Sequence, residues 1–166
     1  MEISPTELAP RPVIEAVMRR MAEPASEAGI ELRAEIGHEV PAVMADSHAL
    51  LRILVNLLMN AIKFTPRGGM ALITAVEDRA GFVAIRVGDT GIGIAAEHVP
   101  EIIKPFTQAD DRMAKAYDGT GLGLPIAAAL VRLNGGRLEI ESKPGLGTIV
   151  TVLLPAAAKA RLKHAA

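Results

Sequence analysis

The sequence predicts an α+β domain: one mixed, mostly antiparallel sheet covered on one face by about three helices. Helical and strand periodicities alternate along the chain, and several strands are joined by short turns, which is the pattern of a single sheet with helices on one side. Half of the 166 residues are hydrophobic but only 2% are aromatic. The core is therefore aliphatic, and a disordered chain is excluded. The length fits one domain with one core.

Residues 1–11 are Pro-rich and polar and read as a linker before a domain spanning 12–155. Val13, Val17, Met21 and Ala25 recur at helical spacing over 13–28, with Pro24 expected to kink or split that helix and Gly29 to stop it. Ile30, Leu32, Ala34 and Ile36 alternate as in a strand, and 41–45 is a short second strand. Asp46 or Ser47 supplies an N-cap for a long helix reaching about Phe64, which the run Thr65-Pro66-Arg67-Gly68-Gly69 ends. Residues 70–76 and 82–87 form strands joined in a hairpin. The stretch 89–120 is mostly irregular, with a helical turn near 97–103; so long a stretch without regular structure is often functional. Residues 121–134 are helical and closed by Gly135-Gly136. Strands 137–142 and 148–154 pair around a Pro-Gly turn. The Ala- and Lys-rich tail, 156–166, has no readable pattern.

Composition excludes several classes. The net charge is −1 and no Lys/Arg run is present, so no nucleic-acid partner is expected. Without cysteine there is no disulfide or thiolate metal site. No apolar run is long enough to span a bilayer, and the first residues lack the apolar centre of a signal peptide. A soluble cytoplasmic domain is expected, with a membrane-anchored parent left open.

Four segments carry chemistry. At about 100° per residue, Asn56, Asn60 and Lys63 fall on one narrow stripe beside the apolar arc of Leu50, Leu54, Leu57, Leu58 and Ala61. This is either a solvated face with two ordinary amides or a site for a cation and phosphate, since Mg²⁺ takes neutral oxygen ligands together with phosphates. Asp89-Thr90-Gly91-Ile92-Gly93 directly follows a strand. It is either a turn or a loop whose carboxylate accepts a hydrogen bond from the exocyclic amine that adenine carries and guanine lacks at that position. Gly119-Thr120-Gly121-Leu122-Gly123-Leu124-Pro125 opens an apolar helix; it is either a hinge or an anion site made of exposed amides. It matches neither a Walker loop nor a dinucleotide fingerprint. Gly145-Leu146-Gly147-Thr148 alone is a hairpin turn.

In order and spacing these segments resemble the ATP-binding domain of sensor histidine kinases. The run 56–66 is similar to that family's N box, 89–93 to the first glycine box, Pro105-Phe106-Thr107-Gln108 to the F box, 119–124 to the second glycine box, and 145–148 to a trailing Gly-x-Gly-Thr. The resemblance covers 13–155. It implies a two-layer α/β sandwich of the Bergerat type, shared with DNA gyrase and heat-shock chaperone ATPases, and the cofactors ATP and Mg²⁺. It further implies that Asn60 ligands Mg²⁺, that Asp89 binds the adenine amine, and that Gly91 and Gly93 shape the base pocket. Thr148 would help hold adenine, and Asn56 and Lys63 would face the phosphates. Residues 104–120, with Phe106, would form a lid, while Gly119, Thr120, Gly121, Leu122 and Gly123 hinge it and present amides to phosphate. Two positions depart from the family pattern: Ile103 and Lys104 precede Pro105-Phe106 where the F box often has Phe-Glu, and Ile149 replaces a common aromatic.

The resemblance also bears on reaction class. Gyrase-like ATPases carry a water-activating Glu four residues before the metal-binding Asn. Here that position is Asn56, and an amide cannot take a proton at neutral pH. This favours a kinase over a hydrolase. The family phosphorylates a His on a separate helical dimerisation domain and passes the phosphate to a response regulator receiver domain, in a homodimeric parent. His38, His48, His98 and His164 all read as surface histidines, so the acceptor is expected outside this chain. The alternatives are a pseudokinase or nucleotide-sensing module, and an anti-sigma-type serine kinase of the same fold.

Overall fold

The computed structural model describes residues 2–78, 81–103 and 123–165. Five strands form the main sheet: β2 (Glu31–Ile36), β4 (Met70–Asp78), β5 (Phe82–Asp89), β6 (Arg137–Lys143) and β7 (Gly147–Pro155). Their order is β2-β4-β5-β7-β6, and only β2 and β4 run parallel. That parallel pair needs a long crossover, which β3 (Val43–Ala45) and helix α2 (Ser47–Lys63) supply. Helices α1 (Pro10–Ala28), α2 and α4 (Gly123–Leu133) pack side by side, with α2 over β4 and β5 and α4 over β6 and β7. The short helix α3 (Val99–Ile103) lies against α4. The two-layer sandwich is as expected.

Strand alternation decides which sheet face is buried. Ala71, Ile73 and Ala75 of β4, Val83, Ile85 and Val87 of β5, and Val150, Val152 and Leu154 of β7 all join the core under the helices. The intervening residues Thr74, Arg86 and Thr151 form a half-buried row on the opposite face. From α2, the core receives Leu50, Ile53, Leu54 and Leu58, each no more than 1% exposed. Each such burial stabilises by about 1.5–3 kcal/mol, more than a typical hydrogen bond at about 1 kcal/mol. Packing therefore sets the rotation of α2, and the amide stripe beside its apolar arc is oriented as a consequence.

Asp46 is the N-cap of α2, accepting from the Ala49 amide at 2.9 Å, and Gly29 caps α1 at φ +70°. Some boundaries differ from the sequence reading. Within the segment read as a linker, Thr6–Leu8 forms strand β1, antiparallel to β3, and α1 already begins at Pro10. Proline is favoured in a first helical turn because its missing N–H would have no partner there. Pro24 does not split α1, which continues to Ala28; the carbonyl it leaves without an amide belongs to the exposed Arg20. The tail read as featureless contains helix α5 (Ala157–Ala165). It is anchored where the Ala156 amide donates to Gly81 O and the Ala157 amide to Ala42 O.

Candidate nucleotide-binding site

The polar residues at one end of the sheet meet through strand register. Asp89 on β5 pairs with Thr148 on β7, which pairs with Ser142 on β6. Each lies two residues from a residue of its strand that belongs to the core (Val87, Val150) or packs against it (Ile140), so all three project into the helical layer.

Asp89 is half-buried. Its Oδ1 accepts from the Gly91 amide at 2.9 Å and the Thr148 amide at 3.3 Å. Among the described residues no hydrogen bond reaches Oδ2. Burial raises the carboxyl pKa above its ordinary value, and the two amide bonds partly offset that rise. The site thus holds a fixed carboxyl group with one oxygen available to a donor.

The loop after β5 is clamped on both sides. The Ile92 amide donates to Phe64 O at 3.1 Å, at the end of α2, and the Gly145 amide donates to Ile92 O at 2.7 Å, from the β6–β7 turn. Glycine is required by these close approaches. A Cβ on Gly91 would lie 2.5 Å from Phe64 O and 2.8 Å from Asp89 Oδ1. On Gly93, at φ +74°, it would lie 2.0 Å from Lys143 O. The sequence suggests that these glycines admit a ligand; in the structure they admit neighbouring backbone, which fixes the Asp89 loop against α2 and the turn.

The second cluster centres on Asn60. A Cβ on Gly123 would lie 3.3 Å from its Nδ2 and 3.5 Å from its Oδ1, so the start of α4 rests against the Asn60 carboxamide. Asn56 and Asn60 are half-buried and Lys63 is exposed, with Nζ 5.8 Å from the Phe64 ring centroid. The end of α2 joins the clusters, because Phe64 O holds the Asp89 loop through Ile92. Phe106, Gly119, Thr120, Gly121 and Leu122, and the expected lid, lie outside the described residues.

Three residues escaped the sequence reading. Ser142 Oγ bonds the Ile94 amide at 2.7 Å, Gly147 O at 3.0 Å and Thr148 Oγ1 at 2.7 Å. Its signal was available: a polar residue ends the inward series Leu138, Ile140. Buried Thr65 donates to Ala61 O at 2.6 Å and borders Gly91. Buried Asn134 donates to Leu130 O and accepts from the Asp46 amide, both at 2.7 Å, tying the end of α4 to the start of α2. Of the histidines, His38 and His48 are exposed, and half-buried His98 lies 3.7 Å from Glu101.

The chain belongs to the family of histidine kinase-, DNA gyrase B- and HSP90-like ATPases, whose sequence model matches residues 45–158. Histidine protein kinase DivJ of Caulobacter vibrioides is 41% identical over 145 residues, 87% of this chain and 24% of DivJ. The crystal structure of full-length ShkA in complex with AMPPNP superposes with a TM-score of 0.81 at 32% identity, over 95% of this chain and 32% of ShkA. The histidine kinase ThkA, in complex with the response regulator protein TrrA, superposes at 0.75 with 26% identity, over 93% of this chain and 42% of ThkA. This chain is thus a histidine kinase ATP-binding catalytic domain, and it spans about a quarter of DivJ and a third of ShkA. No helix among the described residues is long and apolar enough to cross a membrane.

Proposed function

We propose that the chain binds Mg-ATP between α2, the Asp89 loop and the start of α4, and presents the γ-phosphate to a histidine on a separate dimerisation domain. The observation that carries this reading is the fixed, half-buried Asp89 carboxyl group with Oδ2 available. An adenine amine is a fitting donor for it. Asn60 would hold Mg²⁺ through its amide oxygen, and the metal, when bound, supplies positive charge against the phosphates. Lys63 and Asn56 would serve the phosphate end and Thr148 the base. From sequence alone, Phe106 and the run Gly119, Thr120, Gly121, Leu122 would close over the phosphates.

Asn56 bears on the reaction class. An amide there cannot take a proton from water, so ATP is kept for an external acceptor. The TrrA complex of ThkA supports a response regulator as the downstream partner. The parent is read as a homodimeric histidine kinase.

Two measurements test this reading. With γ-labelled ATP and Mg²⁺, the chain alone is expected neither to label itself nor to reach the ordinary enzyme range of about 1–10³ s⁻¹. Added to the parent's dimerisation domain, it should label a histidine, giving an acid-labile, base-stable product. Rapid phosphate release by the chain alone, or labelling on one of its own four histidines, contradicts the proposal. For the metal, Asn60→Ala should weaken ATP binding by about tenfold or more in Mg²⁺, the loss of one charge-assisted contact, and much less in EDTA. Equal loss in both conditions makes Asn60 structural.

A further inference from the structure

Ser142 belongs to no segment of the nucleotide-binding motifs, yet its hydroxyl makes three contacts at the base end of the site. A serine hydroxyl has one proton to donate and two lone pairs to accept with. The Ile94 amide, at 2.7 Å, can only donate, and it occupies one lone pair. Gly147 O, at 3.0 Å, can only accept, so the serine O–H donates to it. The contact with Thr148 Oγ1, at 2.7 Å, is then satisfied only if Thr148 is the donor. The opposite assignment would set two acceptor oxygens, Ser142 Oγ and Gly147 O, against each other without a proton between them.

We propose that Ser142 is a positioning residue for base selectivity: it accepts the hydrogen bond donated by the Thr148 hydroxyl and so leaves Thr148 a pure hydrogen-bond acceptor toward the ligand, beside Asp89. Thr148 is half-buried on the same sheet face as Asp89, its register partner. With its O–H directed at Ser142, its two lone pairs present the same polarity as Asp89 Oδ2. Two acceptors facing the purine 6-position can receive both N–H groups of the adenine amine, directly or through one water, and both repel the carbonyl that guanine carries there. Ser142 also holds the Ile94 amide, and so couples this polarity to the position of the first glycine loop. The inference rests on the reading that the site binds an adenine nucleotide.

The test is titration of ADP and GDP into the unmodified chain and the variants Ser142→Ala, Thr148→Val and the double variant, with Ser142→Thr as conservative rescue. Removing Ser142 frees the Thr148 hydroxyl to rotate and donate. Ser142→Ala should lower the ADP-over-GDP preference by about three- to tenfold, the scale of one hydrogen bond. In the Thr148→Val background the same change should have less than about twofold effect, since interacting residues are non-additive. Ser142→Thr should restore the preference. Without nucleotide, Ser142→Ala should speed hydrogen exchange at the Ile94 amide. If Ser142→Ala does not fold, Ser142→Cys reads the same preference. An unchanged ADP-to-GDP ratio, or equal effects with and without Thr148, overturns the positioning role. Failure of the unmodified chain to bind ADP overturns the nucleotide reading itself.

Discussion

Gly147→Ala is expected to destabilise the domain by about 3 kcal/mol or more and to abolish nucleotide binding, whereas Gly145→Ala, two residues away, costs about 1 kcal/mol and leaves binding intact. Both glycines have positive φ, +122° at Gly147 and +80° at Gly145, so both substitutions carry backbone strain. They differ in what a Cβ meets. At Gly145 nothing lies within 4 Å, but at Gly147 the Cβ would sit 2.0 Å from Asp89 O and 3.2 Å from Thr90 Cα. These are backbone atoms, so relief requires β5 and β7 to separate at Asp89. Urea denaturation with ADP titration on the folded fraction measures both effects. Equal destabilisation by the two substitutions would show that the β5–β7 contact at Asp89 is not tight.

Asp89→Asn is expected to weaken ADP binding by about 10- to 100-fold, the scale of a hydrogen bond to a charged group, without lowering stability at neutral pH. The asparagine Oδ1 can accept the same amides of Gly91 and Thr148. The half-buried charge is removed. Because burial raises the folded-state pKa above the ordinary carboxyl value of 3.8, Asp89 favours the folded state at low pH. That contribution is lost as pH rises through its folded-state pKa. At neutral pH the ionised carboxylate therefore opposes folding, and the amide relieves this. The melting temperature of Asp89→Asn should equal or exceed that of the unmodified chain. ADP affinity of the unmodified chain should fall on acidification at a pH above the one at which an exposed aspartate titrates. A melting temperature lowered by several degrees would assign Asp89 to the architecture instead of the ligand.

The parts of this site that were legible in the sequence are those written in local periodicity. Asn56, Asn60 and Lys63 share a helical stripe, and α2 holds that stripe because its apolar arc is buried. Asp89 and its glycines follow a strand directly, and the structure keeps them there. What was not legible depends on distant pairing. Thr6–Leu8 is short and polar and becomes a strand only because β3 offers it an edge. The prolines near α1 signalled a linker but occupy a first helical turn, where they are tolerated. The hydroxyl chain through Ser142 joins positions 94, 142, 147 and 148, and only the sheet register brings them together. At Gly91 and Gly93 neighbouring backbone lies where a side chain would be, a packing demand set by distant segments and invisible in the local sequence.

In the proposed function, the Asp89 pocket reads adenine by accepting from its amine. Titration calorimetry of Mg-ATP and Mg-GTP into the unmodified chain and into Asp89→Asn decides this. The unmodified chain is expected to bind ATP at least about tenfold more tightly than GTP, the scale of one charged hydrogen bond, and Asp89→Asn to lose most of that preference. Equal affinity for ATP and GTP in the unmodified chain would contradict it.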